Sequence, residues 1–448
     1  MHNKIIEHFI SLTKIPHCSK TTHKLLVFLE QFAKDRGYLV EIDGVNNILI
    51  KPKEREAKLA LQAHYDMVCM GNAPMIETYV EEGWMYAKDS SLGADNGMAI
   101  AMMMELMERG EILEFLLTSD EEIGLVGASA IALELSASFM LNLDFEEEGL
   151  VCIGCAGGAD LLTEKAFLKA EPYGYSYEVS ISGLQGGHSG VEIHKNIPNA
   201  IKLMVEYLVD KSVKISSFYG GERRNSIPTT ATVRLSSKEP LEESHGVSVT
   251  KLSEPFEVYE SEAFLNLLME FKHGVATHNE EFNLPDTSIN LAIVAFENGL
   301  AKIDTTPRAM SDEGLSEIIE KNAMLFKAYG FKTTIEYKYP AWKPEINGFT
   351  SLVNDAMVKE YEKSKDEKRK DEKRKDEKSK DEKRKDEKSK YKAIHAGLEC
   401  GVLLNHYPTI KFASIGPTIL SPHSTHEKVK LDSVGKIFRV VEEIIANT

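Results

Sequence analysis

Apolar positions between residues 3 and 36 recur at helical spacing and are interrupted at Pro16. They predict two amphipathic helices, the second running from about Thr22 to Arg36 and stopped by Gly37. Short β-type segments follow at Tyr38–Ile42, Ile48–Lys51 and Lys58–Ala63. Beyond them the pattern gives a helix over Ala94–Arg109, a strand at Phe115–Ser119, a short helix near Ala128–Leu135 and a strand at Phe139–Leu143. Strands alternating with helices indicate an α/β sheet covered on both faces. From about Pro172 the pattern changes to alternating stretches such as Tyr175–Ile181 and Thr230–Leu235, interleaved with helices near Pro198–Val209 and Ser261–His273. This is the signature of a second, α+β domain. Past Trp342–Pro344 the earlier style returns, with a buried-strand run at Ile410–Ile415 and a final helix from Leu431. The expected organisation is a catalytic domain in two pieces, 1–172 and 344–448, with a lid domain inserted at 173–343.

The chain's 448 residues agree with two domains, since a single core rarely grows that large. One stretch fits neither domain. From Lys365 to Lys390 the chain cycles through KDEKR and KDEKS, within a low-complexity segment spanning 363–390. A five-residue period matches neither helix nor strand, so no face of it can pack on a core; a solvated helix and an open coil are both compatible with it.

Charge and cysteine content narrow the function. A net charge of −17 disfavours nucleic-acid phosphates as partners, and no apolar run approaches the roughly 20 residues of a membrane span. The N-terminus lacks a signal-peptide pattern, which points to the cytoplasm. Five cysteines (Cys18, Cys69, Cys152, Cys155, Cys400) form an odd, sparse set and are expected as free thiols. The lone CxxC at Cys152 and Cys155 has no second pair to complete a zinc site.

Candidate chemistry gathers where predicted strands run out: AHYDM (63–67), SLGADNG (91–97), TSDEEIG (118–124), LNLDFEEEG (141–149) and PHSTHE (422–427). In open α/β sheets, ligands bind beyond the carboxyl ends of the strands. His64 and Asp66 suit a metal ligand and the carboxylate that orients it. Asp95 reads either as a helix N-cap or as a carboxylate bridging two cations. Of the adjacent Glu121 and Glu122, one can bind metal while the other takes a proton. Together these supply nitrogen and oxygen donors for zinc, cobalt or manganese. Two such ions sharing a carboxylate would hold water as a nucleophile for hydrolysis.

In this order, AHYDM, SLGADNG, DEEIG, LDFEEEG, GGHSG, HAGLECG and SIGPT…PHS resemble the aminoacyl-histidine dipeptidases, also called cytosol non-specific dipeptidases or bacterial carnosinases. The resemblance runs from about residue 3 to the C-terminus, broken only by the charged repeat. It implies a mixed-sheet zinc-peptidase catalytic domain with an inserted α+β lid, two divalent metal ions (zinc, with cobalt or manganese possible) and dipeptide substrates, Xaa-His among them. It implies His64, Asp95 and Asp144 on one ion and Asp95, Glu122 and His423 on the other, with Asp66 orienting His64 and Glu121 as general base. His188, Asn225, Arg308, His395 and Glu399 become substrate-side positions, Arg308 suited to a terminal carboxylate. A homodimer through the lid is also implied. The usual HSPDE-like pattern is HSTHE here, which leaves His423 and His426 as rival ligands, His423 preferred. A tripeptidase, an N-acyl amino acid deacylase or a catalytically silent metal-binding homologue are the alternatives, and an intact Glu121 argues against the last.

Overall fold

The computed structural model describes residues 2–53, 55–244, 246–372 and 391–448. It divides the chain into two compact units. The first comprises 1–154, 344–393 and 398–448, and the second 155–343 with 394–397.

Unit 1 is built on an eight-stranded mixed sheet in the spatial order Leu39–Ile42, Ile48–Lys51, Glu114–Thr118, Leu59–His64, Phe139–Asn142, Lys411–Ser414, Val151–Cys155, Tyr391–Ile394. The four middle strands from Glu114–Thr118 to Lys411–Ser414 are mutually parallel. Every residue of Leu59–His64 and of Glu114–Thr118 is buried, as expected of parallel strands covered on both faces. The helix Ala94–Glu108 packs on the Leu59–His64 strand and the helix Gly348–Glu372 on Lys411–Ser414. Ala94–Glu108 is buried all round up to Met107, and its five methionines at 98, 102, 103, 104 and 107 fill the gap with pliable side chains. Because the middle strands share a direction, His64, Thr118, Asn142 and Ser414 all end at one edge. A separate four-stranded sheet, ordered Ile419–Leu420, Lys428–Lys430, Trp84–Ala87, Thr78–Glu81, anchors the loop between residues 420 and 428.

The segment expected as a helix at Ala128–Leu135 is helical only over Val126–Ser129. Beyond it the backbone is gripped from elsewhere: Asp43 accepts the amide of Ala132, and the buried Glu114 carboxylate accepts those of Ser136 and Ala137. These bonds outweigh the high helix propensity of a segment rich in Ala, Leu and Glu. Cys18 and Cys69 are joined in a disulfide with Cα atoms 5.5 Å apart, correcting the expectation of five free thiols. Fifty-one residues separate them and no spacing motif announces the pair. Cys152, Cys155 and Cys400 are buried and unbridged.

Unit 2 is an eleven-stranded antiparallel sheet whose core is closed by the helices Ala200–Leu208, Glu262–Glu270 and Asp312–Ala328. The strand Gly157–Ala166 belongs to this sheet, between Leu300–Ala309 and Lys332–Tyr339, so the unit begins ahead of the expected 173. A two-stranded ribbon pairs Gly187–His188 with Ser226–Ile227. The first residues of the charged repeat continue the Gly348–Glu372 helix, and the rest lies outside the described residues. No described helix is long and apolar enough to cross a membrane.

Candidate metal centre

At the common edge of the parallel strands, two groups of metal-capable side chains share one carboxylate. His64, Asp95 and Asp144 have donor atoms within 4.8 Å of one another, and so have Asp95, Glu122 and His423. His64 Nε2 lies 3.1 Å from Asp95 Oδ1 and 3.3 Å from Asp144 Oδ1. The other oxygen of Asp95 is 3.1 Å from His423 Nε2, which is 2.8 Å from Glu122 Oε2. Asp95 thus faces both groups, one oxygen to each. His426 is exposed and joins neither group, which favours His423 of the two rivals. A further grouping, His8 with Glu105 and Glu108, has its carboxylates already engaged by Arg36, Arg109 and Lys4.

The supports differ from those expected. His64 Nδ1 points chiefly at the backbone carbonyl of Asp66, at 3.0 Å, with the Asp66 carboxylate at 3.5 Å. That carboxylate accepts the amides of Glu121 at 2.9 Å and Glu122 at 3.3 Å, and the Ser19 hydroxyl at 2.7 Å. Asp66 therefore fixes the backbone that carries the adjacent glutamates as well as sitting beside His64. Asp95 is not an N-cap. Gly93 holds that place at φ 71°, a left-handed conformation costly for other residues, and a Cβ there would meet the Met67 sulfur at 3.0 Å. The unpaired amides at the helix start turn instead to Glu427, whose carboxylate accepts Leu92, Gly93 and Ala94 at 2.8 to 3.0 Å and Asp95 at 3.3 Å. Glu427 was within a noted motif but carried no expected role, because a cap supplied from 332 residues away leaves no local signal. Asn96 reaches across to the Leu143 carbonyl and the Asp144 carboxylate.

Glu399 is wholly buried, its Oε2 accepting Gln62 Nε2 and Thr118 Oγ1, each at 2.6 Å. Gln62 in turn accepts from Asn142, whose Oδ1 accepts the amide of Asp144. Glu399 thus stands beneath the strand ends, held through Oε2, while its Oε1 is buried with no hydrogen-bond partner among the described residues.

The electrostatics identify what the site lacks. Burial, reinforced by the neighbouring Glu122, holds the Glu121 carboxyl well above the usual range. Burial and Asp95 push Glu122 up to about 7, and the same two causes raise Glu146 and Glu427. Asp144 is raised by burial too. Burial pulls His64 down, but Asp144, Asp66 and Asp95 outweigh it and hold it well above its ordinary value; His423, by the same opposition with Asp95 and Glu122, rises to about 11. Buried carboxylates outnumber the two imidazoles, and Glu122 Oε1 is buried with no hydrogen-bond partner. Such an excess of buried anionic donors is what divalent cations relieve, and an all-nitrogen-and-oxygen set fits zinc, manganese or cobalt. The residues present therefore fit a two-metal site.

In unit 2 the substrate-side positions gather in one neighbourhood. The amide of Ser189, next to His188, donates to the Asn225 carbonyl at 2.9 Å. Arg308 stands opposite Ser288 across paired strands, and the Ser288 hydroxyl lies 2.7 Å from His395 Nε2. Burial and the nearby Arg308 guanidinium lower His395 to about 3, so it is a neutral imidazole. Arg224, paired with Asp160 and Asp304, braces the turn that presents Asn225.

Several known proteins are similar to this chain along most of its length. The family described as Peptidase family M28 matches residues 47–174. The cytosol non-specific dipeptidase of Escherichia coli is 30% identical over 98% of this chain and 96% of its own length. The aminoacylhistidine dipeptidase of Vibrio alginolyticus superposes with a TM-score of 0.76 at 27% identity, covering 99% of this chain and 96% of that one. A tripeptidase from Staphylococcus aureus, at 15% identity and a TM-score of 0.57 over 100% and 99% of the two chains, shares the fold.

Proposed function

The chain belongs to the cytosol non-specific dipeptidase family, and from that premise we propose that it is a metal-dependent peptide hydrolase acting on dipeptides, Xaa-His among them, with Glu121 as its general base. The observation that carries this reading is the single carboxylate, Asp95, facing two separate donor groups with Glu121 beside them.

His64, Asp95 and Asp144 would hold one divalent ion and Asp95, Glu122 and His423 the other. When bound, the pair supplies Lewis-acid stabilisation of the charge that develops on the peptide oxygen. Zinc is the first choice, cobalt and manganese the others. Glu121, raised by its buried setting, has the basicity to accept a proton from water and return it to the leaving amine. Asp66 keeps it in place through its backbone amide. Unit 2 serves as the lid, with Arg308 for the dipeptide's carboxylate, His188 as donor to the oxyanion, and Asn225 and His395 as further substrate contacts. It is also the surface through which a homodimer would form. The E. coli relative's name supports a cytosolic location, and the net charge of −17 speaks against nucleic-acid phosphates as partners. The Cys18–Cys69 bond would stand there as a pair of neighbouring thiols.

The test is hydrolysis by metal-stripped protein given zinc, manganese or cobalt, on dipeptides, tripeptides and acyl amino acids. Cleavage confined to dipeptides is expected, and Glu121→Gln should retain metal while losing about 10²- to 10⁴-fold in rate. Cleavage of tripeptides or acyl amino acids alone would move the chain to a sister activity, and a fully active Glu121→Gln would remove the base.

A further inference from the structure

Arg308 has two edges on which to hold a planar anion, Nη1–Nη2 and Nε–Nη2, and the structure engages Nη1 while leaving Nε without a partner among the described residues. Its Nη1 donates to the Tyr339 hydroxyl at 2.7 Å. Its Nε is buried and has no hydrogen-bond partner among the described residues. A guanidinium engaged at Nη1 and open at Nε offers its Nε–Nη2 edge, the side-on geometry that grips a carboxylate with two parallel hydrogen bonds. Close by, His395 is held through Nε2 by Ser288, while its Nδ1 is also buried without a partner. Two orphaned, buried nitrogens in one neighbourhood are costly unless something comes to meet them.

Tyr339 is set with care for a residue at a sheet edge. Its strand, Lys332–Tyr339, pairs with Gly157–Ala166 in regular register as far as Glu336. The register then shifts, Tyr337 takes a left-handed φ of 48°, and Tyr339 comes to lie opposite Gly158. A bulge of this kind re-aims the side chain that follows it. The ring enters a slot walled by two glycines. A Cβ on Gly158 would lie 2.5 Å from the Tyr339 hydroxyl, and one on Gly397 would lie 2.9 Å from its ring. Both positions must lack a side chain for the ring to fit, and Gly397 sits in the same short segment as His395.

We propose that Tyr339 is a positioning residue for substrate recognition: by taking Nη1 of Arg308 it turns the Nε–Nη2 edge of that arginine to the terminal carboxylate of the dipeptide. The inference rests on the dipeptidase reading above and adds a specificity determinant to it. Tyr339 does not touch substrate. It fixes which edge of Arg308 does, and thereby favours substrates ending in a free carboxylate.

The experiment compares metal-loaded wild-type protein, Tyr339→Phe and Arg308→Lys on a dipeptide and on the same dipeptide with its C-terminus amidated. Phenylalanine keeps the ring in the glycine slot, so an unchanged melting temperature is expected and reports intact folding. Tyr339→Phe should raise KM for the free dipeptide about five- to tenfold with kcat within twofold, and leave the amide's kinetics unchanged. Arg308→Lys should abolish the preference for the acid over the amide. Equal losses on both substrates, or a loss carried by kcat alone, would reduce Tyr339 to a structural residue and overturn the proposal; so would wild-type kinetics in Tyr339→Phe. A wild-type protein that cleaves no dipeptide would overturn the dipeptidase reading itself, an outcome distinct from these.

Discussion

The two units carry opposite electrostatic character. Unit 1 collects carboxylates at the ends of parallel strands until burial and mutual repulsion raise their pKa values, and so calls for cations. Unit 2 spreads its groups over antiparallel strands and leaves donors, Arg308 Nε and the neutral His395, without acceptors. Strand ends suit the first task because each loop leaving a parallel sheet can deliver one donor to a common edge. Paired antiparallel strands suit the second, since register alone sets Arg308 opposite Ser288 and hence beside His395. A hydrolase for short charged substrates needs both kinds of site, and here each is made by the sheet architecture best able to make it.

The comparison can be broken hardest at Glu427. Removing its carboxylate in Glu427→Ala leaves the buried amides at the start of the Ala94–Glu108 helix without acceptors. The expected cost is about 3 kcal/mol, or a fall in melting temperature of roughly 6 to 12 °C for a unit of this size, with loss of bound metal. Differential scanning calorimetry and metal analysis check it, and Glu427→Gln should recover part of both.

Chelation offers a gentler test. In the metal-free protein Glu122, with a folded pKa of about 7, contributes stability that is full below its unfolded value and lost as pH rises through 7. Glu121, Asp144 and Glu146 are raised in the same direction. Hydrogen exchange on the strand-end loops of unit 1 should therefore quicken between about pH 4.5 and 7 after chelation, beyond the intrinsic pH dependence of exchange, and added zinc should abolish that excess.

The smallest effect belongs to unit 2 and carries the opposite sign. His395 is depressed to about 3, so the stability it contributes is present above its unfolded pKa of 6.5 and drains away as pH falls below it. His395→Asn should flatten the acid side of the stability profile of this unit between about pH 6 and 4, read by exchange of its sheet amides. A profile unchanged by the substitution would show that His395 is not held neutral.

Much of this was legible in the chain before its structure. The run of buried residues in Leu59–His64 and the helix beginning at Ala94 were plain from hydrophobic pattern, and the residues gathered around Asp95 came from strand-end motifs. What stayed hidden depends on distant hydrogen bonds. Asp43 and Glu114 undo an expected helix, Glu427 caps another, and Glu399 turns inward beneath a strand pair. None of these leaves a trace in local spacing. The fourteen-residue strand Leu284–Glu297 left no alternation to read over Leu291–Phe296, because every position there is apolar, the half-buried Ile293 and Ala295 included. The part of the charged repeat beyond Glu372 lies outside the described residues, and nothing of its structure enters the comparison.

The order of strands in unit 1 also bears on how the protein is made. Phe139–Asn142 and Val151–Cys155 are consecutive in sequence, yet Lys411–Ser414 lies between them, and His423 and Glu427 follow it. A ribosome delivers those residues only after the whole of unit 2 has emerged. Until they dock, the nascent chain carries a sheet with an open slot and a candidate donor group that lacks His423.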